Sequence, residues 1–244
     1  MRRLTSGRGG DRALPPMVDH GAVILEAVLF DMDGTLVDSE KVWSVGLDEL
    51  AAHYGGELTP DARAQMVGTS MTDSMDILHT DLAQPWRDSE TSVLWLEDRM
   101  KELFADGLIW RDGARDLLDA LAAAGVPMAL VTATRRHLVE VALVTIGSHY
   151  FDAVVAGDDV DRTKPHPDPY LTAAKLVGAD ILRCVAVEDS PNGVASARAA
   201  GCAVLAVPSE VELTDLRGIT LRDSLVGVDV DYLRSLVRQT ADRH

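Results

Sequence analysis

The chain has 244 residues, of which 47% are hydrophobic and 5% aromatic, with a formal net charge of −16. That length allows one large domain or two small ones, with a core built mainly from Ala, Val and Leu. So acidic a chain is excluded as a non-specific nucleic-acid binder and has no general attraction to anionic lipid, and an anionic substrate would need a local positive site working against the overall field.

Residues 1–21 are rich in Arg, Gly and Pro and lack periodicity, which reads as a disordered extension with Met17 as a second candidate start. Arg2-Arg3 is not followed by an apolar segment, so no export signal is read. No apolar run is long enough to span a membrane. A strand buried on both faces is predicted over 23–29. It leads into Phe30-Asp31-Met32-Asp33-Gly34-Thr35. Asp is disfavoured inside strands, so the acids belong just past the strand end, where Gly34 lets the chain turn.

A helix is predicted over 39–54, with Ser39 as its N-cap and Gly55-Gly56 as its stop. Residues 57–107 hold no convincing buried strand. Helical patterns over 61–67, 72–82 and 89–104 predict a compact helical insert, with Met75, Leu78, Trp86 and Trp95 as candidates for its core. From Asp112 onward helices and strands alternate. Helices are predicted over 113–124, 135–146, 167–177 and 192–200, and strands over 126–131, 151–156, 183–187 and 203–207. A last helix is predicted over 232–238. Such alternation with short connections argues βαβ units and an α/β fold with a Rossmann-like parallel sheet core. Cys184 and Cys202 lie in apolar sequence and form no close-spaced metal pattern, so buried free thiols in a reducing cytoplasm are expected.

Chemistry gathers at the predicted strand ends. Asp31 and Asp33 repel each other unless a cation or proton relieves them, and a hard cation such as Mg²⁺ takes oxygen ligands. The plain alternative is a solvated acidic turn. Thr132-Ala133-Thr134 precedes a helix, where a hydroxyl and backbone N–H groups make an anion site; the alternative is a simple helix cap. Lys164, between Thr163 and Pro165, could neutralise charge developing on a phosphoryl group, or be an ordinary exposed lysine. Glu188-Asp189 is a second acid pair after a buried strand, although an acid before a helix is often an N-cap.

Taken together and in this order, the four motifs resemble those of the haloacid dehalogenase-like hydrolase superfamily, over roughly residues 24–210. The segments Lys164-Pro165-His166-Pro167-Asp168-Pro169-Tyr170 and Glu188-Asp189-Ser190-Pro191-Asn192-Gly193 are similar to the subgroup of β-phosphoglucomutase and sugar-phosphate phosphatases, whose helical insert is a cap domain. The resemblance implies a catalytic core over 22–42 and 108–244 and a cap over 43–107. It implies Asp31 as nucleophile, Asp33 as general acid and base, Thr132 and the following backbone (Ala133) as holders of the phosphoryl oxygens, and Lys164 as the tie between phosphate and nucleophile. Mg²⁺ would be held by Asp31, the Asp33 carbonyl, Asp189 and Glu188, the last as ligand or as a support behind the ligands. Gly68, Thr69 and Ser70 of the cap, with Arg135, would meet the substrate, and hinges are expected over 41–44 and 104–110. The implied function is a Mg²⁺-dependent phosphatase for a small phosphorylated metabolite, with no nucleic-acid or membrane partner, acting as a monomer in the cytoplasm. The alternatives are a sugar phosphate mutase and a non-catalytic binder of a phosphorylated ligand. Trp43 and Met71 stand where the mutase pattern has histidine and arginine, which weighs against the first alternative.

Overall fold

The computed structural model describes residues 24–66, 71–209, 213 and 217–241. The expected extension over 1–21 and the substrate residues Gly68, Thr69 and Ser70 lie outside these. Six parallel strands form the sheet: β1 (Ala27–Phe30), β2 (Met128–Val131), β3 (Ala153–Val155), β4 (Cys184–Glu188), β5 (Ala203–Ala206) and β6 (Ile219–Leu221). Their spatial order is β3-β2-β1-β4-β5-β6. The chain winds outward one way from β1 and the other way from β4, so the crevice beyond the carboxyl ends of these two neighbours is the topological switch point.

Most predicted strands are longer than the observed ones, for a local reason. The predicted strand over 126–131 begins only at Met128, because the Val126 N–H closes the preceding helix onto the Leu121 carbonyl at 3.0 Å. Cys202 closes onto Ala197 in the same way ahead of β5, which begins at Ala203 as predicted. The strand β6 was not expected. Its three residues between Gly218 and a polar turn are too few to show a pattern.

The sheet is covered on both faces. Val28, Phe30, Leu130, Val185, Val187 and Leu205 point to one side, against α5 (Ala114–Ala123), α6 (Arg136–Ile146) and α9 (Val230–Ala241). Ala27, Leu29, Ala129, Val131, Ala186 and Val204 point to the other, against α7 (Asp168–Val177) and α8 (Pro191–Ala200). Each fully buried Leu, Val or Phe contributes about 1.5–3 kcal/mol to this sandwich. The cysteines are free and buried on the second face, as expected, and burial pushes the Cys184 thiol up to about 12.

Between β1 and β2 the chain forms an all-helical insert of α1 (Glu40–His53), α2 (Pro60–Met66), α3 (Met71–Asp81) and α4 (Ser89–Ala105). Met75, Leu78, Leu96 and Met100 are fully buried in it, and Trp43 meets Phe104 edge-on with ring centroids 6.0 Å apart. Trp95 is partly buried, stacked on His53. Trp86 is not a core residue: it is 76% exposed. Its turn is pinned by its neighbours instead, Gln84 donating to the Tyr54 carbonyl and Arg87 lying over the Tyr54 ring. The insert meets the core through α4 on α6. The two crossings run side by side, with the Asp38 N–H on the Ile109 carbonyl at 2.8 Å. Residues 41–44, where one hinge was expected, lie inside α1. No helix among the described residues is long and apolar enough to cross a membrane.

Candidate active site

β1 and β4 pair in register, Phe30 opposite Val187, and the Asp31 N–H bonds the Val187 carbonyl at 3.0 Å. The residues that follow, Asp31 on one strand and Glu188-Asp189 on the other, therefore emerge side by side. Each offers an oxygen within 4.8 Å of the others, and all three are buried. Lys164 arrives from the loop between β3 and α7. Its Nζ donates to Asp31 Oδ1 at 2.6 Å, to Glu188 Oε1 at 2.6 Å and to the Val131 carbonyl at 2.9 Å. The Lys164 side chain is 5% exposed, so the reading of an ordinary surface lysine fails.

Two glycines make room for this cluster. Gly34 has φ +76°, and a Cβ there would run into the Asp189 carboxylate and lie 2.9 Å from Ser209 Oγ. Gly193, in the first turn of α8, sits directly against the Glu188 carboxylate, which a Cβ would displace. Ser190 caps that helix by accepting from the Gly193 N–H, so neither acid of the pair is its cap.

Asp33 is arranged differently. Oδ1 accepts from Ser39 Oγ at 2.6 Å and from the Trp43 indole N–H at 3.4 Å, while Oδ2 accepts from Thr134 Oγ1 at 2.7 Å and Thr132 Oγ1 at 3.2 Å. Its carboxylate is turned away from the acid cluster, leaving only its main-chain carbonyl for the ligand role expected of it. Ser39 does stand before α1, but its hydroxyl serves Asp33 and makes no cap bond. Thr132 accepts the Thr134 N–H at 3.0 Å, and Asp158 takes the Arg136 N–H at 2.8 Å. Part of the anion site expected at this helix start is thus occupied by the protein itself. Ala133 is exposed, with its carbonyl packed against Gly157. Arg135 reaches across to the insert, where Nη1 lies 3.3 Å from Glu97 Oε1.

The electrostatics follow from burial. Asp31 is raised well above the usual carboxylate range, first by burial, then by Glu188, Asp189 and Asp33, with Lys164 opposing. Asp189 is pushed up to about 7 by burial and by Glu188, although the Ser209 hydroxyl on its Oδ2 at 2.5 Å counters this. Burial works against the Lys164 charge, but Asp31 and Glu188 outweigh it and hold the ammonium above its usual value. Burial raises Tyr170 as well, and its hydroxyl donates to Glu188 Oε1 at 2.5 Å. Three carboxylates share one ammonium, and every free donor atom is a hard oxygen. This set fits a small divalent cation such as Mg²⁺.

Sequence reasoning missed Ser39 and Thr134 as partners of Asp33, Tyr170 as a partner of Glu188, and Ser209 as a partner of Asp189. Thr134 and Tyr170 stood inside the quoted motifs. Nothing local marked Ser209, which reaches the site only because β5 lies beside β4. The cluster itself is closed over. A cavity of about 240 Å³ lies beside it at the crossings, lined by Thr35, Asp38, Trp110, Arg111 and Asp223 among others.

A family model described as haloacid dehalogenase-like hydrolase matches residues 25–201. CbbY of Rhodobacter capsulatus is 33% identical over 196 residues, covering 76% of this chain and 86% of that protein. Hexitol phosphatase A of Escherichia coli strain K12 is 33% identical over 205 residues, covering 79% and 88%. A mutant CbbY from Rhodobacter sphaeroides, solved in complex with xylulose-(1,5)-bisphosphate, superposes with a TM-score of 0.74 at 26% identity, covering 86% of this chain and 99% of that one.

Proposed function

The chain belongs to the haloacid dehalogenase-like hydrolases, and we propose that it is a Mg²⁺-dependent phosphatase that hydrolyses a small phosphorylated carbohydrate through an aspartyl-phosphate on Asp31. As a phosphoric monoester hydrolase it keeps company with the hexitol phosphatase relative, and the ligand held by the CbbY neighbour is a phosphorylated sugar. One observation carries the mechanism: Asp31 is held by Lys164 inside the acid cluster, while Asp33, two residues on, is held outside it by hydroxyl groups. That difference supports reading one carboxylate as nucleophile and the other as proton carrier.

Asp31, Glu188, Asp189 and the Asp33 carbonyl would hold the cation, which when bound supplies the positive charge that keeps the carboxylates ionised and offsets the phosphoryl charge. The Asp31 carboxylate attacks phosphorus and the ester P–O bond breaks. Asp33 gives its proton to the leaving oxygen, then takes one from the water that cleaves the acyl phosphate and regenerates Asp31. Lys164 orients Asp31 and neutralises charge beside it. Tyr170 and Gly193 seat Glu188, and Thr132 and Thr134 orient Asp33. The helical insert acts as a cap over residues 43–107. It must swing on the paired crossings to admit substrate, and it excludes water when closed. The free buried thiols accord with a reducing, cytoplasmic location.

A mutase needs a group near Asp33 that can exchange protons. Trp43 occupies that place with an indole N–H, which only donates. Phosphate release from a panel of sugar and polyol phosphates, with and without Mg²⁺ and with Asp31→Asn as control, tests the proposal. Metal-independent release, or release that survives in Asp31→Asn, would refute it.

A further inference from the structure

The acid at the head of the insert bears on the cation site. Glu40 opens α1, where a negative charge suits the positive end of the helix, so a helix-terminal role would account for its presence. Its carboxylate also meets the core. Ser209 lies 169 positions further on, in the segment that follows β5, and its Oγ is 2.9 Å from Glu40 Oε1 and 2.5 Å from Asp189 Oδ2. That segment is anchored to the acid cluster. The Val207 N–H bonds the Glu188 carbonyl at 2.7 Å, and a Cβ on Gly34 would meet both the Asp189 carboxylate and Ser209 Oγ.

A serine hydroxyl carries one proton and donates to one acceptor at a time. It cannot serve both carboxylates, so Asp189 and Glu40 repel across a shared oxygen. Burial and Glu188 are the main causes that raise Asp189, and Glu40 adds to them, while the Ser209 hydroxyl works the other way. A divalent cation on Asp189 changes the balance, because each negative charge beside the site, Glu40 included, draws the cation in.

Glu40 is also tied to the insert. α1 runs unbroken from Glu40 to His53 and packs on α4, where Gly46 lets it approach Met100 and Leu96 so closely that a Cβ would lie within 3.0 Å of both. The crossing just before α1 is fixed to its neighbour, with the Asp38 N–H on the Ile109 carbonyl and Val37 bridged to Trp110. A swing of the insert on these crossings therefore carries Glu40 towards Ser209 or away from it, whereas Ser209 and Asp189 stay with the sheet.

We propose that Glu40 is a positioning residue of the cation site, acting on Asp189 through Ser209, and that this contact makes cation binding and the seating of the insert favour each other. The proposal rests on the reading of Asp31, Glu188 and Asp189 as cation ligands. Glu40 is not one of them. It adds negative charge beside them when the insert is seated, and by linkage a bound cation holds the insert seated to the same degree.

The test needs Mg²⁺ alone and no substrate. Affinity is read from the dependence of the melting temperature on Mg²⁺ concentration, in the wild type, Glu40→Gln, Ser209→Ala and the double variant. Glu40→Gln should weaken Mg²⁺ binding about three- to tenfold, and Ser209→Ala about tenfold. The double variant should fall within about twofold of Ser209→Ala, because the two residues act in series. Hydrogen exchange over residues 36–41 and 107–112 reads the seating of the insert. Saturating Mg²⁺ should slow that exchange about threefold or more in the wild type, and the slowing should be lost in Glu40→Gln at Mg²⁺ concentrations that saturate the variant. A role confined to the end of α1 would lower the melting temperature of Glu40→Gln in EDTA and move neither readout. An unchanged Mg²⁺ affinity in Glu40→Gln overturns the proposal. So does exchange at the crossings that Mg²⁺ fails to slow in the wild type, or slows equally in Glu40→Gln. A wild type whose melting temperature ignores Mg²⁺ refutes the cation reading itself, and the proposal with it.

Discussion

At the core wall of the cleft three carboxylates share the single ammonium of Lys164, which offsets only part of their mutual repulsion. At the insert wall charge is settled in advance, with Glu97 facing Arg135 and Arg99 facing Glu49 and Glu102. In the proposed mechanism the core end does the chemistry, and an excess of acid there suits a phosphoryl transfer assisted by a cation. The insert carries thirteen acids against four bases over residues 43–107, and Arg63, Arg99 and Lys101 are already paired, so this wall is net negative. The same contrast runs through the acids of the first motif: Asp31 belongs to the unresolved cluster, whereas every carboxylate contact of Asp33 is to a hydroxyl or an indole N–H.

The largest expected effect comes from removing the nucleophile. Asp31→Asn should lower turnover at least about 10³-fold, since a neutral amide is a poor nucleophile. Its metal-free melting temperature should fall less steeply than that of the wild type as pH rises, because the amide cannot take on a buried charge. An unchanged pH slope in that variant would contradict the assignment of a raised Asp31. Lys164→Met attacks the same wall from the other side. It leaves the carboxylates without their counter-ion, and breaking a buried pair by removing one partner costs about 3–5 kcal/mol. Denaturant titration should show that loss in EDTA and a partial recovery in Mg²⁺. Asp189→Ala should raise the Mg²⁺ concentration for half-maximal activity by about 10–100-fold, and an unchanged titration would remove Asp189 from the ligand set. Thr134→Val leaves the cluster alone and loosens Asp33. A fall of about tenfold in kcat is expected, since proton transfer is worth more than that in all, together with a displaced pH profile.

The smallest effect is also the sharpest contrast, because pH should act on the two walls with opposite sign. In the metal-free core, Asp31 and Asp189 hold protons that the unfolded chain gives up at about pH 4. The folded state binds more protons, so their contribution to stability is present at low pH and lost as pH rises towards the Asp189 value of about 7. In the insert, burial lowers His79, whose Nε2 meets Ser92 Oγ at 2.8 Å. The folded state there binds fewer protons, so that contribution is whole above about pH 6.5 and lost as pH falls below it. Melting in EDTA between pH 5 and 8 should lose its alkaline decline in Asp189→Asn and its acidic decline in His79→Gln. Identical pH slopes in wild type and both variants would refute both assignments.

Much of this was legible beforehand. The alternation of apolar segments with helical ones announced the parallel sheet, because buried strands and amphipathic helices carry different periods. Asp31, Thr132, Lys164 and Glu188-Asp189 could be picked out because each follows an apolar strand, the place where such sheets put their sites. What stayed hidden depended on which strands are neighbours. Ser209 reaches Asp189 only because β5 pairs with β4, and Glu97 reaches Arg135 only because α4 lies on α6. Ser39 looked like a cap and proved to be a donor to Asp33, since the turn at Gly34 brings the start of α1 back over the end of β1. Trp86 looked like core because it is large and apolar, yet nothing in its own segment said which way its turn would face.

The sequence by itself determined the helices and every strand but β6, their order and the chemical types at the strand ends, because periodicity and turn residues act over a few neighbours. Only the tertiary structure decided which groups hold each of those acids. A carboxylate's role is set by the groups that long-range packing places within about 3 Å of it: Lys164, 133 positions away, draws Asp31 into the cluster, while Thr132 and Thr134, about a hundred positions away, hold Asp33 out of it.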